Sequence, residues 1–240
     1  MKLTIGHLYP DLLNLYGDRG NIQCMMQRCK WRGIDAETIG YKIEDDIDFD
    51  SLDLILLGGG SDREQILACD RLREIKDDFH KFVERGGVVL AVCGGYQLLG
   101  SYYKMGDQVI EGLDIVDLYT EQGDKRLIGN MVIKCDLFDI PLVGFENHGG
   151  YTYISNNKPL GKVISGFGNN GSDGMEGILY KNVIGTYLHG PLLPKNPHLC
   201  DYLLKTALSN RYGKVELTSL EDKEELQANR YIVERFARNK

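Results

Sequence analysis

The chain has 240 residues, of which 42% are hydrophobic and 26% charged, with a formal net charge of -7 and a pI near 5.3. That length and apolar content can bury one large core, expected as a single α/β domain over 1–240, while the acidic balance and the lack of a basic cluster with interleaved aromatics argue against nucleic acid as a partner. No apolar run approaches the roughly 18 residues that span a bilayer, and residues 1–5 lead straight into a strand pattern without a secretion signal. Direct membrane insertion is therefore excluded from the reading, and reduced thiols in a cytoplasm are expected.

In chain order, residues 3–8 read as a strand, 22–31 as a helix ended by Gly33, and 35–39 as a second strand, which makes a βαβ opening. The apolar run 52–57 reads as a third strand and stops at Gly58-Gly59-Gly60, with Ser61 or Asp62 as the N-cap of the next helix. Residues 61–84 carry Leu67, Leu72, Ile75, Phe79 and Phe82 at helical spacing, as one long helix or two consecutive ones, closed by Gly86-Gly87. Val88-Val-Leu-Ala-Val92 is the next buried strand, and the helical period resumes after Cys93-Gly-Gly and runs to Gly100. From Tyr102 to His189 the pattern changes to short alternating runs punctuated by Gly, Asn and Asp, the mark of strands and loops. Helices return over 197–212 and 221–237, so the core is expected at about 3–208 and the C-terminal helices at about 197–238. The fold class implied by this order is α/β, an open and mainly parallel central sheet flanked by helices, with additional antiparallel strands in the second half.

Cys93 stands where a buried strand turns into a helix, the position of a nucleophile elbow. Glycines after it permit a sharp turn, and a helix N-terminus favours the thiolate. The run Ile184-Gly-Thr-Tyr-Leu-His189 ends 96 residues later in a histidine followed by strand-breaking Gly190 and Pro191, which supplies the base a thiolate needs. The glycine triplet frees backbone N–H groups, so that Gly59 or Gly60 together with Gly94 can form an oxyanion hole. Ligand sites of open α/β sheets lie beyond the carboxyl ends of strands, where all these residues fall.

Other matches carry less chemistry. Gly166-Phe-Gly-Asn-Asn-Gly171 has dinucleotide-loop spacing but sits among hairpin-like runs with no helix after it, and Asn170-Gly-Ser172 has a meaning only in a secreted chain. Cys24, Cys29, Cys69, Cys135 and Cys200 lack paired spacing and read as core or helix-face residues, so no protein-bound metal is expected. There is no Gly-x-Ser-x-Gly and no Walker A sequence.

These residues carry a resemblance. Ala91-Val-Cys93-Gly-Gly-Tyr-Gln97, Leu57-Gly-Gly-Gly60 and Gly185-Thr-Tyr-Leu-His189-Gly resemble the class I (triad) glutamine amidotransferases, in the branch of the cobyric acid synthase glutaminase domain. The longer blocks Leu15-Tyr-Gly-Asp-Arg-Gly-Asn21, Gly59-Gly-Ser-Asp-Arg-Glu-Gln65, Gly144-Phe-Glu-Asn-His-Gly149 and His189-Gly-Pro-Leu-Leu-Pro194 are similar to the GatD glutaminase subunits of lipid II isoglutaminyl synthase. The resemblance implies hydrolysis of glutamine through a thioester on Cys93, with His189 as base and acid. It also implies that Arg126 recognises the glutamine α-carboxylate, a role suited to a planar bidentate donor. Gln97 contacts substrate or caps the pocket, and Asn147 and His148 are further pocket candidates. The partner implied is a Mur-ligase-like synthetase of the MurT type that uses ATP and Mg²⁺, with no cofactor in this chain. Contact with the inner membrane face would come through that partner and its lipid-linked substrate.

One departure from the triad pattern stands out. His189 is followed by Gly190, Pro191 and Leu192, so the family's orienting acid two residues on is missing. Either Glu146 stands in or the acid arrives from another protein. Two further readings stay open: a cobyrinate-type amidotransferase subunit, and a catalytically silent binding module.

Overall fold

A computed structural model describes residues 1–15 and 17–237; Tyr16, inside the block 15–21, and Arg238, at the end of the expected C-terminal helices, lie outside the described residues. The first half alternates strands and helices. It runs β1 (Lys2–Leu8), α1 (Arg19–Trp31), β2 (Asp35–Tyr41), β3 (Leu54–Leu57), α2 (Asp62–Glu74), α3 (Lys76–Glu84), β4 (Val88–Val92) and α4 (Gly94–Leu98). β3 and β4 are buried at every position, as central parallel strands covered on both faces must be. The region 61–84 resolves into two helices that meet at Ile75, and the first opens on a capping box between Ser61 and Glu64.

α1 begins about a turn earlier than its apolar period indicates. Asn14 Oδ1 accepts from the Arg19 N–H at 2.9 Å, and Gly20 is required because a Cβ there would stand 2.6 Å from the Pro191 ring. α4 is five residues long, shorter than the apolar pattern running to Gly100 indicates.

The second half contains β5 (Tyr102–Met105), β6 (Gln108–Glu111), β7 (Leu118–Lys134), β8 (Leu142–Ile154), β9 (Gly161–Ser165), β10 (Met175–Glu176), β11 (Ile178–Tyr180), β12 (Val183–Thr186), α5 (Pro197–Tyr212) and α6 (Lys223–Phe236). β12 returns to the first sheet, giving the order β11-β12-β4-β3-β1-β2, parallel except for the antiparallel edge β11. The rest forms a second sheet, β10-β9-β7-β5-β6 with β8 on β7. In place of short runs, β7 and β8 are 17 and 13 residues long. Their glycines suggest turns, yet Gly123 and Gly150 lie inside the ribbon, where a Cβ would strike the Tyr151 ring and the Gln97 amide.

α1 ties the two ends of the chain together. Arg28, 2% exposed, makes paired bonds to both Asp201 on α5 and Asp222 before α6, and Cys24 Sγ lies 3.9 Å from Cys200 Sγ. All six cysteines are free thiols. Among the described residues no helix is long and apolar enough to cross a membrane.

Candidate active site

Cys93 follows the last residue of β4 with φ 52° and ψ -109°, a left-handed conformation that costs a non-glycine residue about 1–3 kcal/mol. Neighbouring backbone bonds impose it: the Cys93 N–H donates to Thr186 O at 2.9 Å, and the Gly95 N–H donates to Gly58 O at 3.0 Å. The thiol does not rest as the thiolate that a helix N-terminus suggests. Burial pushes it up to about 12, the Asp18 charge adds to this, and the Gly94 N–H and Arg126 act in the opposite sense. Burial outweighs one short helical turn.

His189 leaves the carboxyl end of β12, the strand beside β4. The parallel register pairs Thr186 with Val92, so both functional residues lie beyond one sheet edge. His189 also joins the two sheets: its N–H donates to Phe145 O at 2.9 Å and its carbonyl accepts from the Phe145 N–H at 3.3 Å, an isolated bridge to β8. Gly190, at φ 91°, then turns the chain away. The imidazole is 1% exposed and pushed down to about 3, first by burial, then by His148 and Arg126. It is a neutral base at physiological pH, and its cation is disfavoured.

The glycine triplet has its donors sorted. Asp18 Oδ2 accepts from the Gly59 N–H at 2.9 Å, which takes that group out of the three oxyanion candidates Gly59, Gly60 and Gly94. Leu15 N–H donates to Gly59 O at 2.9 Å, and because a trans peptide points its N–H opposite its carbonyl, the Gly60 N–H faces the other way. Gly60 lines the cleft together with Cys93. A Cβ on Gly59 would stand 3.0 Å from the Cys93 Cβ, so the loop lies directly against the nucleophile.

The cleft has a volume of about 480 Å³, and its wall includes Cys93, Gln97, Arg126, Asn147 and His148. Arg126 is an exposed strand residue on β7. Between the pairs Gln122↔Gly150 and Leu127↔His148, residues 123–126 oppose Gly149 alone, and this wide bulge carries Arg126 to the rim. Its Nε donates to Asn147 Oδ1 at 3.1 Å and its Nη2 to Asn147 O at 3.3 Å. Gln97 is buried and donates through Nε2 to Tyr187 Oη at 2.9 Å. Asn147 and His148 are strand residues of β8. The His148 ring stacks on Tyr187 with centroids 3.5 Å apart, and Nδ1 lies 2.7 Å from Gly150 O.

Glu146 is fully buried. Its Oε1 accepts from the Phe167 N–H at 2.7 Å and its Oε2 from the Gly168 N–H at 3.0 Å, with His148 Nε2 at 3.7 Å. Those bonds anchor the loop 167–168, within the stretch of dinucleotide-loop spacing. Three residues without an assigned role in the sequence join the site: Asp18 and Leu15 on the glycine loop, and Gln65, whose Nε2 donates to Gly60 O at 3.0 Å. The signal for the first two was the block 15–21 itself, an acid among glycines before a helix.

A thiol and a neutral imidazole that follow neighbouring strands at one sheet edge, a backbone N–H of the glycine loop, and an arginine on the cleft wall can carry out acyl transfer from a carboxamide bearing an anionic tail. Comparison with known proteins agrees. The chain is 45% identical over 240 residues, all of this chain and 98% of the relative, to the protein of Staphylococcus aureus named lipid II isoglutaminyl synthase (glutamine-hydrolyzing) subunit GatD. The subunit of the same name from Streptococcus pneumoniae is 42% identical over 92% of this chain and 86% of its own length. A probable cobyric acid synthase of Methanococcus maripaludis is 39% identical over 59% of this chain and 30% of that protein. The PurLQS structure from Thermotoga maritima shares the fold, with a TM-score of 0.58 at 18% identity over 87% of this chain and 99% of that one. Residues 4–197 match the family described as CobB/CobQ-like glutamine amidotransferase domain, and the chain belongs to that family, in the group that holds the GatD subunits.

Proposed function

We propose that this chain is the glutamine-hydrolysing subunit of a lipid II isoglutaminyl synthase and that it works through a Cys93–His189 pair. His189 takes the thiol proton as Cys93 attacks the side-chain carboxamide of glutamine, and the Gly60 and Gly94 N–H groups receive the oxyanion. Ammonia leaves with a proton from His189, and water activated by the same imidazole releases glutamate from the thioester. Arg126 holds the α-carboxylate and Gln97 closes the floor of the pocket. The ammonia passes to a Mur-ligase-like, MurT-type synthetase that uses ATP and Mg²⁺ to amidate the D-glutamate of the peptidoglycan stem peptide, on the cytoplasmic side of the membrane. This chain carries no cofactor of its own and acts as one amidotransferase domain.

The observation that carries the reading is the placement of a left-handed cysteine and a buried neutral histidine beyond one sheet edge. The same electrostatics bear on the missing acid. A thiol pushed up to about 12 and an imidazole pushed down to about 3 make the charged pair costly in this chain alone. Glu146 spends its oxygens on the Phe167 and Gly168 N–H groups, which favours an orienting carboxylate supplied by the synthetase. Glutamate release is expected to be slow for the isolated chain and to rise on adding the synthetase, in a manner dependent on one of its Asp or Glu residues. Cys93→Ala should abolish release in the complex while ammonia-driven amidation persists. Fast release by the isolated chain that collapses in Glu146→Gln would reject the shared acid, and full release by Cys93→Ala would reject the nucleophile.

A further inference from the structure

The glycine loop that carries the oxyanion donor cannot hold itself. At Gly58 a Cβ would run into the Leu13 carbonyl, at Gly59 it would press on Cys93, and at Gly60 it would stand 2.8 Å from a Leu13 methyl, so side chains are excluded from all three positions. Glycine backbone is also the most mobile available, and an oxyanion hole works only when its donors are aimed before the reaction begins. The restraint has to come from outside the loop.

Two buried polar side chains supply it. Asp18, fully buried at the start of α1, accepts from the Gly59 N–H through Oδ2 at 2.9 Å. Gln65, 4% exposed on the first turns of α2, donates from Nε2 to Gly60 O at 3.0 Å. The Gln65 carboxamide also covers Gly94, lying 2.8 Å from where a Cβ would stand, so one side chain touches both residues that supply oxyanion donors. Each side chain keeps one buried oxygen without a hydrogen-bond partner, Asp18 Oδ1 and Gln65 Oε1. An apolar residue would fill either place without an orphaned acceptor. What the polar residues add is the single bond each makes to the loop.

We infer that Asp18 and Gln65 are positioning residues that clamp the glycine loop at Gly59 and Gly60 and thereby aim the Gly60 N–H at the oxyanion of glutamine hydrolysis. This rests on the assignment of Gly60 as a donor under the proposed function. Asp18 stands off the cleft wall, whereas Gln65 reaches the wall beside Gly60 with the carboxamide that bonds the loop. Both act through the peptide planes on either side of the donor, with the Leu15 N–H on Gly59 O as the third point of the clamp.

The test uses the full chain in complex with its synthetase and compares Gln65→Leu, Gln65→Glu, Asp18→Leu and Asp18→Asn with the unaltered protein. Glutamate release gives kcat and KM for glutamine, and iodoacetamide reports on Cys93 by a displacement that forms no oxyanion. For Gln65→Leu and Asp18→Leu, kcat is expected to fall about 10- to 100-fold with KM within about threefold of the original and no fall in the alkylation rate, which loss of the Asp18 charge can only raise, the pattern of a lost transition-state interaction. Gln65→Glu keeps the size but sets a carboxylate against the Gly60 carbonyl, so it should fall as far; it reads the same step should the leucine variant not fold. Asp18→Asn retains an acceptor for Gly59 and should recover most of the loss of Asp18→Leu. Unchanged kcat in both leucine variants, or parallel loss of kcat and alkylation, would overturn the clamp. Failure of the underlying reading looks different: the unaltered complex would release no glutamate, or Cys93→Ala would still release it.

Discussion

At the carboxyl edge of β4 and β12, Cys93 and His189 leave strands buried along their whole length, whereas on the β7–β8 ribbon Arg126 stands on a four-residue bulge at the rim of the cleft, bonded to Asn147 of the facing strand. The first region is rigid because it is core. Its strands pair in register on both sides, and the Cys93 N–H is fixed on Thr186 O. The second region bends because its ladder is interrupted. The sheet edge therefore fixes the backbone of the two residues proposed to form and break bonds, and the ribbon presents a cation at the cleft rim for the far end of the proposed substrate. Chemistry sits on the element that cannot move, and recognition on the one that can.

The largest effects should come from the edge. His189→Ala removes the base and is expected to lower kcat for glutamate release by about 10³- to 10⁴-fold, with ammonia-driven amidation by the partner retained. The two backbone bonds to Phe145 do not need the side chain, so the fold should persist, with a loss of about 1–3 kcal/mol for the space left by the buried imidazole. On the ribbon the loss should appear in KM. Arg126→Ala is expected to raise KM for glutamine about 10- to 100-fold at nearly constant kcat, and Arg126→Lys should fall between, because an ammonium lacks the planar fork. Steady-state kinetics on the complex separates the two patterns. A kcat loss from Arg126→Ala as large as that from His189→Ala would erase the division of labour.

Two glycine substitutions sharpen the contrast in stability. A Cβ on Gly185, in β12, would enter the Tyr96 ring and stand 3.0 Å from Ile178 Cγ2, so Gly185→Ala should destabilise by about 1–3 kcal/mol through overpacking. On the ribbon, a Cβ on Gly149 would meet Arg126 Nη1 at 3.6 Å and Cγ at 3.9 Å, ordinary contact. Gly149→Ala should stay within about 0.5 kcal/mol in denaturant unfolding and change KM alone.

The same contrast decides what can be read from the sequence. β3, β4 and β12 are continuous apolar runs ended by breakers, and such a pattern marks both the strand and the residue at its end, which is why Cys93 and His189 stand out. The ribbon hides because Gly123, Gly149 and Gly150 look like turns, whereas two of them serve close packing inside long strands and Gly149 sits under the bulge. Partners far apart in the chain are invisible for another reason. That the Gly59 donor is taken depends on Asp18, 41 residues upstream, and no local spacing carries that. The state of the thiol is misread from sequence because a helix N-terminus is local and legible, while the burial that pushes Cys93 up to about 12 is a property of the whole fold.

The smallest predicted effect concerns a buried acid at the seam of the two regions. Glu176 of β10 is fully buried, and its Oε1 accepts from Thr186 Oγ1 and from the Tyr187 N–H, both at 2.7 Å, which fixes β12 just before His189. Burial pushes its carboxyl up to about 8, against the pull of those two bonds and with the help of the Glu146 charge. A folded value above the ordinary 4.5 means that the native state binds the proton more tightly than the unfolded chain does. The stability this group contributes is fully present below about 4.5 and is lost as pH rises towards 8. His7, His189 and His198 run the other way: each is pushed down, by burial above all, so their contribution grows up to the unfolded value of 6.5 and is flat above it. Between pH 6.5 and 8 the slope from Glu176 is therefore not offset by these histidines. Glu176→Gln keeps an acceptor for Thr186 and Tyr187 and has no proton to lose. Its unfolding midpoint should fall less than that of the unaltered protein from pH 6.5 to 8, with the two curves closest at the acid end. Equal slopes in thermal unfolding at matched ionic strength would show that Glu176 is ionised throughout that range and that the strand before His189 is held by a charge.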